Sequence, residues 1–435
     1  MLDDTAASFI ASNDSRTARA ATAVLQGTVT KGRLARLLPF LGPAFVAAVA
    51  YVDPGNIATN IQAGAQFGPL LIWVVVASNL MAMLVQALSA KLGMATGRNL
   101  AELCREHFST PVAWGMWIIA ELVAIATDMA EFLGAALGFQ LLFNIPLLWG
   151  GILTAIATWL ILSLERRGFR PLEAVIGVLI GVIAASYVIE TVLDRPDWGT
   201  VAYHAVVPGF AGTQSVLLAV GILGATVMPH AIFLHSALTQ RRIVTRDPQQ
   251  LQRLFRFEIV DIVIALGLAG LVNAAMLVMA ASTFFRAGLN EVGTIEEAYK
   301  TLTPLLGSAS SVIFAIALLA SGLSSSAVGT LAGQVMMQGF LKWEIPLWVR
   351  RGVTMVPSLV VIALGLDPTR TLVISQVMLS FGIPFALIPL IMFTRRKDLM
   401  GVLVNRRWTT AAAVVVAIII LLLNSFLIYD ALVGS

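Results

Sequence analysis

Asp53, Pro54, Gly55 and Asn56 stand in succession inside an apolar run that extends from Phe40 to about Ile61. A carboxylate near the middle of a bilayer helix costs roughly 2.5–3.5 kcal/mol on insertion scales, so it needs a reason to be there. Pro54 removes a backbone donor and clashes with the preceding turn, and Gly55 lowers helix propensity further. The pattern predicts an interrupted helix whose carbonyls and amides lack intrahelical partners. Unwound backbone is tolerated at membrane depth only inside protein or beside a cavity. An acid, an amide oxygen and freed carbonyls at one break are the beginnings of a cation site. Asp53 and Asn56 are three apart, so a partly helical turn points both to one side. Hard oxygens alone suit Mg²⁺, Ca²⁺ or Na⁺.

A second break is expected at Met228-Pro229-His230. Met228 adds a soft thioether, which favours transition metals and disfavours Mg²⁺ and Ca²⁺. A Met in an apolar helix is usually a gap-filler. Next to Pro229 and opposite Asp53, the ligand reading is preferred. His230 could pass or bind a proton near neutral pH, or be a satisfied core histidine. His235 reads as packing or helix capping. Glu121, Asp128 and Glu131, at spacings of seven and three, share one face of the third apolar span. Acids so placed commonly face the bundle interior and mark ion pathways or proton relays; the alternative is a buried hydrogen-bonded pair. Glu258 and Asp261 open the seventh span, where an interfacial role is the plainer reading.

The elements that must position these residues follow from composition. Of 435 residues, 58% are hydrophobic and 12% charged, against about a quarter charged in soluble domains. Mean hydropathy is +0.88. The chain reads as an all-α polytopic membrane protein with the lipid bilayer as its surroundings. The net charge of +4 is no nucleic-acid signal, because basic residues cluster in short loops between apolar runs. The lone Cys104 excludes an internal disulfide and a thiolate cluster. Residues 1–37 carry no signal-peptide core and read as a cytoplasmic tail, flexible at least at its start.

Apolar spans fall at about 40–65, 69–93, 112–142, 145–164, 171–193, 212–240, 256–282, 309–340, 347–366, 369–394 and 408–430, eleven in all. All but four of the 28 basic residues lie on one side of this arrangement, the exceptions being Arg195, Arg286, Lys300 and Arg370. The positive-inside rule makes the crowded side cytoplasmic, with the N-terminus inside and the C-terminus outside the cell (plasma or inner) membrane. Breaks in the first and sixth spans imply a five-helix repeat. Its odd length inserts the second copy upside down, and matched broken helices mark a midplane binding site in secondary transporters. The loop at 283–308, with Glu291, Glu296, Glu297 and Lys300, is expected to form a short amphipathic helix. Arg241-Arg242, Arg350-Arg351 and Arg395-Arg396-Lys397 set orientation and attract lipid phosphate; one or two of them pair with acids when an inner gate closes. Zinc-protease, nucleophile-elbow and Walker patterns are missing, so the chain does not read as an enzyme.

Ala50-Tyr51-Val52-Asp53-Pro54-Gly55-Asn56 and Met228-Pro229-His230, followed by Leu234-His235-Ser236-Ala237-Leu238, resemble the two broken-helix motifs of the natural resistance-associated macrophage protein (Nramp) family. The stretch from Gly333 through Gln334 and Gln338 to Phe340 looks like that family's signature near its eighth helix. Ser375-Gln376 running to Phe385-Ala386-Leu387 is similar to its tenth helix. The likeness extends from Phe40 to Arg396. It implies a leucine-transporter-type fold of five plus five inverted helices, in residues 38–195 and 196–396, with helices 1 and 6 broken and helix 11 in 397–435. It also implies symport of Mn²⁺ or Fe²⁺ with protons, the metal being substrate and no cofactor being required. Asp53, Asn56 and Met228 would be side-chain ligands, the carbonyls of Ala50 and Ala225 would complete the set, and Gln376 would join on closure. Asp53, Asp128, Glu131 and His230 would carry protons, with Glu121 further along; Arg351 is assigned to gating. No obligate protein partner is evident. The rivals are a Mg²⁺ carrier, a sodium-coupled amino-acid carrier on the same fold, and an intramembrane metalloenzyme.

Overall fold

A bilayer offers no partner for free amides and carbonyls, so apolar segments of this length satisfy their backbone as helices. The computed structural model describes residues 15–28, 32, 36–164, 169–245, 247–290 and 292–433. Helices carry most of them. In chain order they are α1 (Ser15–Leu25), α2 (Pro43–Val49), α3 (Pro54–Phe67), α4 (Ile72–Thr96), α5 (Leu100–His107) and α6 (Thr110–Phe143). Then come α7 (Leu147–Ser163), α8 (Phe169–Asp194), α9 (Trp198–Val206), α10 (Thr213–Thr226), α11 (Pro229–Gln240) and α12 (Pro248–Ala280). The last six are α13 (Ile295–Leu306), α14 (Ser308–Leu341), α15 (Leu347–Ala363), α16 (Pro368–Thr394), α17 (Lys397–Met400) and α18 (Arg407–Val433).

The eleven expected spans correspond to the pair α2/α3, then α4, α6, α7 and α8, the pair α10/α11, and α12, α14, α15, α16 and α18. Both interruptions lie where the residue chemistry places them. Each second half begins with proline at its first helical position, where the missing N–H costs nothing and the fixed φ suits the helix. The amphipathic helix expected within 283–308 is α13. It is closed by a capping box in which Thr294 Oγ1 accepts from the Glu297 amide while the Glu297 carboxylate accepts from the Thr294 amide. Burial raises the Glu296 carboxyl in that helix above its ordinary range.

Within the N-terminal segment, Ser15–Leu25 is helical. Ala21, Val24 and Leu25 pack with Phe40 and Leu254. Burial of these apolar side chains holds the helix against the start of α12. Lys31, Arg33 and Glu291, like the first fourteen residues, lie outside the described set.

Small residues let the central helices approach closely, as packing without a hydrophobic driving force requires. A Cβ added at Gly322 of α14 would fall 2.6 Å from the Ala135 nitrogen of α6, and one at Gly138 2.8 Å from the Leu319 Cα. α10 meets α16 in the same way, a Cβ at Gly224 lying 2.1 Å from the Gln376 carbonyl oxygen. Trp149, Trp159 and Trp408 stand exposed on the periphery, as amphipathic rings do at membrane interfaces.

Gly224→Val is expected to lower the midpoint of thermal unfolding in detergent by an amount equivalent to about 1–3 kcal/mol of overpacking. Gly115→Val, where nothing lies within 4 Å, leaves the midpoint unchanged. Differential scanning fluorimetry compares the two.

Candidate metal centre

α2 tightens into a 3₁₀ turn at Ala50–Val52, and Asp53 then leaves the helical region at φ −80°, ψ 168°. Asp53 restarts the helix as the N-cap of α3. Its Oδ1 accepts from the Asn56 backbone N–H at 2.7 Å and from Asn56 Nδ2 at 2.8 Å. The second break is built alike, with Val227 irregular and Met228 extended at φ −70°, ψ 121° before Pro229. Asn56 joins the two breaks, for its Nδ2 also donates to the Ala225 carbonyl oxygen at 2.9 Å. From α16, Gln376 Nε2 donates to Asp53 Oδ2 at 3.2 Å. Only glycine permits that approach, since a Cβ at Gly55 would lie 1.7 Å from Gln376 Nε2.

Asp53, Asn56, Met228, Gln376, Ala50 and Ala225 are all fully buried, at 0% exposure. Asn56 Oδ1 and Gln376 Oε1 have no hydrogen-bond partner among the described residues. Buried acceptors are normally paired, and a cation can complete such acceptors as a donor would. The carbonyls released by the first break are held instead by neighbouring helices. Ser321 Oγ of α14 donates to the Val52 oxygen at 2.6 Å. Asn273 Nδ2 of α12 donates to the Tyr51 oxygen at 2.7 Å, and Asn60 Nδ2 donates to Asn273 Oδ1 at 2.9 Å. These supports escaped the sequence reading. Asn60, one turn beyond Asn56, and Asn273, a lone amide in an apolar span, were the available signals.

The acids of α6 face α14 and α15. Glu131 is fully buried, and neither of its carboxyl oxygens has a partner among the described residues. A Cβ at Gly329 would lie 2.5 Å from Glu131 Oε2 and 3.1 Å from Asp128 Oδ1, so both acids converge on that glycine. Arg351 Nη1 donates to Asp128 Oδ1 at 3.5 Å, and Arg350 Nη2 donates to Glu121 Oε1 at 3.0 Å. Arg350 and Arg351 are thus buried arginines of the kind expected to pair with acids. His230 Nδ1 lies 3.3 Å from Thr127 Oγ1, and its Nε2 has no partner among the described residues.

Two expectations change. His235 neither caps a helix nor merely packs, for its Nδ1 lies 2.9 Å from Gln86 Oε1 and its Nε2 2.9 Å from Glu258 Oε1. Gln86 Nε2 donates in turn to the Tyr51 hydroxyl. Glu258 and Asp261 are buried rather than interfacial, and Asp261 Oδ2 accepts from the backbone N–H groups of Gly42 and Ala44 at the start of α2. A histidine partner for Glu258 and orphan amides at a helix start for Asp261 make these buried acids tolerable. Among the described residues, no three His, Cys, Asp or Glu side chains gather as a metal cluster.

The sequence profile described as natural resistance-associated macrophage protein-like matches residues 44–430. The chain belongs to the Nramp family. A divalent metal cation transporter, MntH, of Deinococcus radiodurans is 54% identical over 414 residues, 95% of each chain. The crystal structure of an Eremococcus coleocola manganese transporter superposes with a TM-score of 0.84 at 35% identity, covering 93% of this chain and 90% of that one. MhsT, solved with L-phenylalanine, shares the fold at 15% identity and a TM-score of 0.56, covering 88% of this chain and 98% of that one. This Nramp chain is accordingly a multi-pass membrane transporter with the leucine-transporter-type inverted repeat, and not an enzyme.

A double-mutant cycle across Asp128→Asn and Arg351→Gln is expected to return a coupling of about 1–3 kcal/mol in detergent unfolding, as for side chains in one network. The same cycle with Asp128 and exposed Arg396 returns none.

Proposed function

We propose that the protein imports divalent transition metal ions, Mn²⁺ and also Fe²⁺, by alternating access coupled to protons. The observation that carries this is the buried set Asp53, Asn56 and Gln376, with two acceptor oxygens lacking donors among the described residues, set where two interrupted helices meet. The names of the relatives agree with the ion class. Asp53, Asn56 and Met228 serve as side-chain ligands with the Ala50 and Ala225 carbonyls, and Gln376 joins as the site closes. Asn56 Nδ2 bridges Asp53 and Ala225; an arriving ion replaces that bridge and draws the amide oxygen and the Ala225 oxygen to itself. Met228 tells transition metals from Mg²⁺ and Ca²⁺, because a thioether is a poor ligand for hard ions.

Metal ligands bind deprotonated, so any proton on Asp53 leaves as the metal arrives. Asp128 and Glu131, with His230 beside Thr127 and Glu121 further along α6, provide a separate proton route. Arg351 gates that route through Asp128. The membrane potential drives cations inward with about 2.3 kcal/mol per charge per 100 mV. The basic-loop asymmetry sets the N-terminus in the cytoplasm and the C-terminus outside the cell membrane. Residues 38–195 and 196–396 act as the two inverted halves, with no cofactor and no obligate protein partner.

Radiolabelled Mn²⁺ uptake into proteoliposomes, faster with an inward pH gradient than without one, is the expected result; uptake indifferent to the gradient contradicts coupling. Met228→Ala retains Mn²⁺ uptake but admits Ca²⁺, as competition with Ca²⁺ reveals. Asp128→Asn lowers proton flux more than calorimetric Mn²⁺ affinity, and equal losses would sink the separate route.

A further inference from the structure

The end of α8 gathers oxygens that the proposed transport route leaves unused. Tyr187, Glu190 and Asp194 follow at spacings of three and four, one stripe with neighbouring Cβ atoms about 5–6 Å apart. Tyr187 and Glu190 are both 0% exposed. Neither Glu190 oxygen has a hydrogen-bond partner among the described residues, and the Tyr187 hydroxyl has none either. Asp194 is half-buried at the helix end. Its Oδ1 accepts from Thr283 Oγ1 at 2.8 Å, while its Oδ2 has no hydrogen-bond partner among the described residues. Thr283 belongs to the wider turn Ala281–Phe285, where α12 slips into a π register; such turns frequently occur at functional sites.

An uncompensated buried carboxylate costs several kcal/mol, so either a proton or a bound cation must neutralise Glu190. Arg286 attracts Asp194, whereas Glu190, one turn deeper, feels the like charge of Asp194. The mark found at Asn56 and Gln376, a buried acceptor without a donor, therefore recurs here on a full carboxylate. The donors differ in kind. Two carboxylates, a phenol and an aliphatic hydroxyl are all hard oxygens, without the thioether of the Met228 site. Such a set suits Ca²⁺, Mg²⁺ or Mn²⁺.

We propose that Glu190, Asp194, Tyr187 and Thr283 form a second cation site between α8 and the π turn of α12, which takes a hard, oxygen-seeking divalent ion reached past Asp194. The site stands apart from the break that joins α2/α3 to α10/α11, so its occupancy is separable from that of Asp53.

Equilibrium dialysis of the purified full chain with Mn²⁺ counts the ions, and Tb³⁺ luminescence excited through the aromatic side chains reads the site directly, with Tyr187 as its antenna. Two Mn²⁺ per native chain are expected, one after Asp53→Ala, one after Glu190→Gln and none in the double variant. Tb³⁺ bound by the Asp53→Ala protein is displaced by Ca²⁺, and Glu190→Gln weakens it roughly tenfold or more. A native chain that binds one Mn²⁺, or a Glu190→Gln protein that keeps its parent's Tb³⁺ affinity, overturns the proposal. Retention of two ions by Asp53→Ala would count against the transport site alone. If Glu190→Gln does not elute as a single folded species, Glu190→Asp replaces it: the charge is kept, the reach is shortened, and unchanged Tb³⁺ affinity is again the overturning result.

Discussion

A helix broken inside a membrane must dispose of the backbone groups that it frees, and the architecture answers that constraint. At the first break the Tyr51 and Val52 carbonyls are taken by Asn273 and Ser321, and the Asn56 amide is capped by Asp53. Each partner comes from a different place, α12, α14 or the restarting helix itself. Without them the break would leave unsatisfied polar groups in a low-dielectric interior, each costing a sizeable share of net stability. With them it becomes rigid enough to hold an aspartate at 0% exposure.

The same reasoning explains the crowding of small residues. Gly55 admits the Gln376 amide to Asp53, Gly329 admits the carboxyls of Glu131 and Asp128, and Gly224 admits the backbone of α16. Each glycine stands where a polar group or a backbone must come within contact distance of another helix. Close packing and polar chemistry are therefore one design: backbones approach because side chains are absent, and acids such as Asp53 and Asp128 are met by amide or cationic partners.

Buried charge is distributed unevenly. Glu121 and Asp128 have arginine partners on α15, Glu258 has His235, and Asp261 has two backbone amides. Glu131 and Glu190 have none among the described residues. Paired acids brace neighbouring helices, whereas an unpaired one asks for a mobile ion.

Several features were legible in the residues alone because they depend on local chemistry. Apolar length and basic loops set the spans, Pro54 and Pro229 set the breaks, and three acids at helical spacing set a face of α6. Glu258, Asp261 and His235 were misjudged because their burial depends on α2 and α4, distant in the chain and adjacent in space. The joining of Asn56 to Ala225, the reach of Gln376 over Gly55, and the pairing of Arg350 with Glu121 were likewise decided by tertiary packing. A side chain's spacing along a helix tells which way it faces, but what it meets there depends on helices that fold against it from hundreds of residues away.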